Sequence, residues 1–568
     1  MRELIKKILY PLDRRDILKL SILLFLTILS ASFDFLGIAL IIPLLTLLSG
    51  IVYTNTFVQN FVNFVNFEHD KIIVIILVVM FIVFFSKFII QSLLVFYRNN
   101  FSQKLFVRVS DNILKNYLYM NFSFHVKNNS SNLIRNVGSE ANLFCNNIIK
   151  SILKLFSDLL VFISLATLLI IYNPKVALIS LSVLFFFGML FFYLTNKKIK
   201  EWGKIRQQFA GEVIKDMQQS FFGIREIIIF GAQKFFLSNY NKNNIKFSKA
   251  TRNRDTLNQL PKGILEFIGV STFIILIFYL LKIQKDISEI IVIIGVFAAA
   301  ITKLLPSVTS IISNVQLFKF NAPVIDVIYS ELNLKSDNYI LSNDNEIFFN
   351  SKIRLKNLSF KYPTTNSFAL NNLNFEIQKR DKISITGETG SGKTTLINLL
   401  TGLIQPTSGN VVIDEDSLNK NNVRSWMKKI SYVPQNIYLS DESILENITF
   451  GENKKIDTKK IDRILKIVDL YDFVNSLPDK YNTNVGEKGA KISGGQSQRL
   501  GLARALYRDF DLIILDEATN SLDSETENKI LDKFYDYCKE KTVISITHNK
   551  ENIKHSNKLI NIQNGKII

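Results

Sequence analysis

The sequence predicts an α-helical membrane domain of six transmembrane helices, followed by an α/β P-loop domain. Three observations carry that expectation. Long apolar blocks crowd roughly the first three hundred of 568 residues, more than one core's worth of chain, since single cores rarely exceed about 250–300 residues. "KISITGETGSGKTTLINLLTG" (382–402) then joins an apolar strand, a glycine-rich loop and a helix. "DLIILDEAT" (511–519) reads as a buried strand that ends in two acids.

A membrane span needs about 20 mostly apolar residues. Six segments qualify, at 19–48, 72–97, 152–172, 175–195, 263–282 and 287–312. Connections after spans one, three and five carry few basic residues. Those after spans two and four are long and rich in Lys and Arg, as in "KKIKEWGKIRQQ". The positive-inside rule therefore puts the N-terminus and both long loops in the cytoplasm. Helical patterning in those loops predicts that the membrane helices run on past the bilayer. The net charge of +19 follows the same pattern, so it argues for topology and against nucleic acid. "MRELIKKILYPLDRRDILK" is basic and weakly amphipathic without a cleavage site, so it reads as a cytoplasmic lead helix. Cys145 and Cys538 stand far apart, and the four histidines do not cluster, which argues against a disulfide framework or a zinc site.

After span one, "FVQNFVNFVNF" (57–67) has helical apolar periodicity. It reads either as a loop packed on the bundle or as an interfacial helix on the outer face. Polar, Asn- and Ser-rich sequence around 318–350 suggests a linker. The expected domains are 1–320 (membrane), 321–350 (linker) and 351–568 (nucleotide-binding).

The loop fits G-x-x-x-x-G-K-[ST] through Gly387, Gly392, Lys393 and Thr394, with Gly390, Ser391 and Thr395 inside the same turn. Its glycines let backbone N–H groups wrap phosphate oxygens. Lys393 reaches the terminal phosphates, and Thr394 is placed to ligate Mg²⁺. Asp516, at the strand's carboxyl end, is placed to hold the Mg²⁺ shell, and Glu517 to polarise the attacking water.

Between these motifs, "KISGGQSQRLGLARAL" resembles the signature of ATP-binding-cassette proteins, and the resemblance covers the whole chain in order. It implies ATP and Mg²⁺ as ligands, and it assigns further roles. Tyr362 in "LSFKYP" would stack on adenine. Gln435 in "YVPQN" would sense Mg²⁺ and water. Ser493, Gly494, Gly495 and Gln496 form the signature, Asp523 a dimer contact, and His548 the switch histidine. Glu487 in "VGEKG" lies in a loop that contacts coupling helices, which are expected near 119–133 and 221–240. Ile492, Asn549 and Arg380 depart from the pattern, the last where a turn glycine is usual, and none removes a phosphate-touching group. The resemblance also implies that the phosphate loop needs the signature of a second copy, hence a homodimer with two equal sites.

Cargo is less legible. Lys87, Lys262 and Lys303 sit in or beside apolar spans, each about 23–28 Å from the outer end of its span at about 1.5 Å per residue. They are either a handle for an anion in a cavity or side chains that snorkel to the inner interface. Glu266 is a candidate partner for Lys262, and Asp34 in span one for another lysine. These lysines, with the segment after span one, resemble features of bacterial lipid-linked oligosaccharide flippases. The expectation is an ATP-driven flippase in the bacterial inner membrane, carrying a polyprenyl-pyrophosphate-linked glycan outward. The alternative is an exporter of another amphiphile, such as a lipid A-type lipid, a hydrophobic drug or a peptide; the cysteine-free lead is too short for a peptidase domain, which argues against peptide processing. A non-transport ABC ATPase is at odds with the six spans, and a gated channel has no support in the sequence.

Overall fold

The computed structural model describes residues 2–49, 69–283, 287–334, 345–362, 365, 367–452, 456–547 and 553–568. The chain divides into two compact units. One comprises Met1–Leu118 and Asn128–Lys335; the other comprises Tyr119–Lys127 and Ser336–Ile568. The segment 57–67 lies outside the described residues.

In the first unit, six helices among the described residues are long and apolar enough to cross a membrane: Arg14–Leu48, Asp70–Leu118, Ser130–Tyr172, Pro174–Phe222, Gln233–Lys282 and Ile287–Leu332. Each exceeds a bilayer's requirement, in keeping with the patterning of the long loops. The first helix breaks at Leu40, between Arg14–Ala39 and Ile41–Leu48. Pro43 explains the break, because its ring crowds the carbonyl four residues earlier and it brings no N–H to the ladder. The third contains two π-helical stretches, Asn136–Glu140 and Phe144–Ile149.

Helical spacing sets the core of this unit. Val296, Ala300 and Leu304 of the sixth helix are buried at successive turns, against Leu165 and Leu169 of the third and Leu276 and Leu280 of the fifth. Further along, a Cβ added to Gly203 would stand 2.2 Å from the Phe320 carbonyl, so the fourth and sixth helices meet backbone to backbone there. Beside that contact, Arg206 bonds both oxygens of the fully buried Glu140, at 2.9 and 3.3 Å.

The sixth helix corrects the expected boundary at 320. It continues to Leu332, because Phe320, Val324 and Ile328 repeat the buried i, i+4 stripe. The expected linker also ends early, since Ile347 and Phe349 are buried in the core of the second unit. Asn- and Ser-rich composition marked a linker, but apolar periodicity at one end and burial at the other override it.

The second unit holds two sheets. The strands are β1 Lys352–Phe360, β2 Leu370–Gln378, β3 Lys382–Thr386, β4 Ser408–Ile413, β5 Asp416–Ser417, β6 Ile430–Val433, β7 Leu512–Asp516, β8 Thr542–Ile546, β9 Lys558–Gln563 and β10 Lys566–Ile567. One sheet runs β2-β1-β4-β5, antiparallel; the other runs β10-β9-β3-β8-β7-β6. In the latter, β9, β3, β8, β7 and β6 are parallel neighbours. Every residue of β7 and β8 is buried, as befits central parallel strands covered on both faces. Trp426 is fully buried under the antiparallel sheet, and its indole N–H donates to the Leu400 carbonyl at 2.7 Å. That bond satisfies both a buried ring and the end of the helix that follows the phosphate loop.

Candidate functional site

The carboxyl ends of β3 and β7, neighbours of β8, deliver the two acid-and-phosphate motifs to one edge of the parallel sheet, where open α/β sheets place their ligands. After β3 the chain turns through Gly387, Gly390 and Gly392 with φ of +149°, +84° and +108°. A Cβ on Gly387 would meet the Ile562 carbonyl at 2.2 Å, and one on Gly392 the Ala369 carbonyl at 2.7 Å. Above Gly390 the space is open. The loop is therefore packed tightly on its protein side and free on the other.

The helix Lys393–Leu400 begins directly at this loop. Lys393 is buried, and its ammonium donates to the carbonyls of Gly387 (2.7 Å) and Glu388 (2.9 Å), folded into the loop mouth. Thr394 is exposed at the helix start. Ser391 Oγ is buried with no hydrogen-bond partner among the described residues. A buried hydroxyl of this kind within a glycine cradle suits a phosphate oxygen, so the residues fit a nucleotide.

Tyr362 stands where the resemblance requires a base platform. Its hydroxyl hydrogen-bonds Thr395 Oγ1 at 3.1 Å, and its ring packs edge-on against Phe360. It borders a cavity of about 570 Å³ that is also lined by Phe122, Val126 and Lys127 of the helix Phe122–Lys127. Part of one expected coupling segment, Tyr119–Lys127, thus packs beside Tyr362 within the second unit.

At the end of β7, Asp516 is buried and accepts from the Tyr432 hydroxyl at 3.1 Å. Burial pushes its carboxyl above the usual carboxylate range, against the pull of the Tyr432 bond and the Lys393 charge. Burial likewise raises the Tyr432 phenol. Asp516, the Thr394 hydroxyl and the Gln435 side-chain oxygen are hard oxygen donors of the kind Mg²⁺ takes, and a cation at Asp516 would relieve the cost of the buried charge.

Glu517 has φ +50°, a left-handed backbone held by its N–H to the Ile546 carbonyl at 3.1 Å. Gln435 Nε2 donates to Glu517 Oε2 at 2.7 Å, so two residues 82 apart in sequence meet. Asn520 Nδ2 donates to the same oxygen at 2.9 Å. The sequence reading missed Asn520, and also Tyr432. "DEATNSLD" displays the asparagine, but only the left-handed turn at Glu517 brings its amide back to the carboxylate.

Ser493 caps the signature helix Gly494–Tyr507. Its Oγ accepts from Gln496 N at 3.2 Å, and its own N–H donates to Gln496 Oε1 at 2.8 Å, a reciprocal capping box. Ser493 and Gly494 are exposed, and a Cβ at Gly494 would meet nothing within 4 Å. Asp523 caps the helix Ser524–Tyr537, and the Thr526 backbone N–H holds its carboxyl below the usual range. Arg504 ties the signature helix to the segment that follows Gln435. It donates to the Asn447 carbonyl and the Tyr438 carbonyl, both at 2.7 Å, and burial lowers its guanidinium to about 10. Glu487 lies in a short turn, Glu487–Gly489. Arg380 adopts φ +71°, the backbone that explains why glycine is usual there. His548 lies outside the described residues.

The three lysines part company. Lys87 is buried and bonds Asp34 directly, and the Lys303 ammonium lies in the field of both groups. Lys262 is exposed on the fifth helix. Among the described residues no hydrogen bond or ion pair joins it to Glu266, Asp34, Lys87 or Lys303. Of the two candidate pairings, the one through Asp34 forms, with Lys87 and beside Lys303, whereas Lys262 stands apart from Glu266 among the described residues. Within an apolar bundle an acid and an ammonium gain more from each other than from isolation. The sixth helix adds a polar stripe at i, i+4, i+7 and i+11: Lys303, Ser307, Ser310 and Asn314. Ser310 hydrogen-bonds Asp158 of the third helix.

Comparison with known proteins decides the family. Residues 21–305 match the family model of the ABC transporter transmembrane region, and residues 370–520 match that of the ABC transporter. The chain belongs to the ABC transporter family. An ATP-dependent lipid A-core flippase of Pseudoalteromonas translucida (strain TAC 125) is 27% identical over 463 residues, covering 80% of this chain and 78% of that protein. A protein of the same description from Wigglesworthia glossinidia brevipalpis is 27% identical over 481 residues, 82% of this chain and 80% of its own length. In fold, the chain resembles the structure of a bacterial Atm1-family ABC exporter with ATP bound, with TM-score 0.76 and 18% identity over 97% of this chain and 94% of that one. The transporter is thus a multi-pass membrane protein of exporter type, whose ATPase is coupled to transport.

Proposed function

We propose that this ABC transporter works as a homodimeric, ATP-driven flippase in a bacterial inner membrane, with its N-terminus and ATPase unit cytoplasmic. Its cargo would be an anionic amphiphile of the lipid A class. The observation that supports the cargo best is the Asp34–Lys87–Lys303 group in the membrane unit, taken with the description carried by the relatives. Two ammonium groups act there against one carboxylate, which leaves a net positive site inside apolar helices. An anionic headgroup is the ligand that such a site favours. Lysine binds phosphate as a point charge and imposes no planar geometry, so several phosphorylated headgroups suit it.

The polyprenyl-pyrophosphate glycan of the sequence reading now has thinner support. It rested on three lysines acting together and on the segment 57–67. Lys262 stands apart from the other two, and that segment lies outside the described residues. The relatives favour the lipid A-type alternative.

A second copy is supported by what the ATPase unit exposes. Ser493 and Gly494 present a capped helix start to the outside, as a γ-phosphate held elsewhere would require. The segment around the helix Ile224–Ile229 exposes Phe221, Phe222, Ile229 and Phe230, each more than 60% accessible, an apolar tip suited to a partner's surface. Within each site, Lys393 and the loop N–H groups would hold the phosphates, Glu517 would orient water, and Thr394 and Asp516 would hold Mg²⁺. When bound, the ion would neutralise charge on the β- and γ-oxygens.

The test is reconstitution in proteoliposomes, with ATPase stimulation and flipping followed for lipid A-type lipids and for polyprenyl-pyrophosphate glycans. Lys303→Gln should raise the half-saturating lipid concentration by about tenfold, the worth of one partly desolvated charge contact, and Lys262→Gln by less than twofold. Equal stimulation by a neutral lipid, or an unchanged Lys303→Gln variant, would remove the anionic cargo. Stimulation by the polyprenyl glycan alone would restore the earlier reading.

A further inference from the structure

We infer that Asn520 is a positioning residue for Glu517, and that it links the state of the signature helix to the catalytic carboxylate. The inference rests on the proposed role of Glu517 and goes beyond it. Three observations carry it. The first is convergence: the amides of Gln435 and Asn520 both donate to Oε2 of Glu517, at 2.7 and 2.9 Å. Two donors on one oxygen fix both the side-chain rotamer and the plane of the carboxylate, as a third group orients the base in other hydrolytic sites.

The second is the backbone. Glu517 holds φ +50°, a conformation that a non-glycine residue rarely adopts and that persists only where its surroundings enforce it. That turn is what brings residue 520 back over residue 517. The third is the anchoring of Asn520 from both sides. Thr519 Oγ1 donates to the buried Glu527 at 2.6 Å, in the helix Ser524–Tyr537. The Ser521 backbone N–H donates at 2.8 Å to the buried Gln498 of the signature helix. Asn520 is exposed between two buried fastenings, with only its amide free to swing, and that amide lies on Glu517. A shift of the signature helix pulls on Ser521 and therefore on the donor that orients the carboxylate. Gln435 plays the corresponding part from the other side, since Arg504 of the signature helix also clamps the segment after it.

The bland account of Asn520 is a turn residue, chosen because asparagine tolerates tight turns. Aspartate separates the two accounts, because it has the same shape and turn preference but offers a second carboxylate in place of a donor. With full-length protein in nanodiscs, Asn520→Ala should lower kcat about tenfold with KM for ATP within about twofold, since only orientation of the base is lost. Asn520→Asp should lower kcat further, by about a hundredfold, through like-charge contact with Glu517. In a Glu517→Gln background, Asn520→Ala should cause no additional loss, because the two act as a unit. ATP binding and thermal melting, followed in parallel, check that each variant folds.

Activity of Asn520→Asp at or above that of Asn520→Ala would assign the residue to the turn and overturn the inference. So would a rise in KM at constant kcat, or additive losses in the double variant. Brisk turnover by Glu517→Gln alone would instead undo the assignment of Glu517 itself.

Discussion

The two units use charged residues in opposite ways. In the ATPase unit, charged groups gather where backbone geometry is forced: three glycines at positive φ beside Lys393, and a left-handed Glu517 beside Asp516. The chemistry there is concentrated in short, contiguous motifs. In the membrane unit, charges meet across long sequence separations, as Lys87 does with Asp34 (53 residues) and Arg206 with Glu140 (66 residues). A phosphate site needs many donors at one point, so it is built from consecutive backbone. A helical bundle that buries a carboxylate gains by setting a cation from another helix beside it, so its pairs join side chains far apart in sequence.

The sharpest way to break this contrast is to spoil one local position. Gly387→Ala places a methyl group 2.2 Å from the Ile562 carbonyl at φ +149°. Displacing the loop by that overlap should cut ATP turnover by about a hundredfold or more, while the melting of the membrane unit changes little. Normal turnover in this variant would mean that the loop tolerates displacement. Next in size is the distributed pair. Arg206→Leu leaves the buried Glu140 with only the longer Arg135 contact, at 3.8 Å, which should destabilise the membrane unit by about 3 kcal/mol in denaturant titrations. Adding Glu140→Leu should recover most of that loss. A double variant no more stable than the single one would show that the pair is held by more than charge.

The smallest effect comes from Asp516. Burial raises its carboxyl above the ordinary range, so the native state binds its proton more tightly than the unfolded chain does. The native state then loses stability as pH rises from the ordinary carboxylate range through the raised value, and the penalty is complete above it. Asp516→Asn should therefore raise the melting temperature of the nucleotide-free protein at neutral pH. The gain should vanish below the ordinary carboxylate range. A melting temperature that does not rise at neutral pH would show that Tyr432 and Lys393 already offset the burial.

The same contrast governs what could be read from the chain. Six spans, the phosphate loop, the acidic strand end and the signature were legible because each is written within about twenty residues. Asp34 could be named as a candidate partner for a lysine, but not for which one, since two helices have to pack before Asp34 and Lys87 become neighbours, and depth along a helix says nothing about facing. Lys262 shares that depth by residue count and yet is exposed. The boundary at 320 failed for a related reason. Composition changes at the membrane surface, whereas the apolar stripe of Phe320, Val324 and Ile328 continues the helix beyond it. Asn520 is the intermediate case: close in sequence to Glu517, but placed by a backbone turn that residue preference disfavours.

The cap on the signature helix has one further consequence. Ser493 holds that helix with a lone pair of its oxygen, accepting from the Gln496 N–H. Its hydroxyl hydrogen takes no part in the cap. One side chain therefore faces two ways, fastening inward as an acceptor and offering a donor outward. A phosphate that arrives from a neighbouring molecule could take that proton without disturbing the cap that holds the helix behind it.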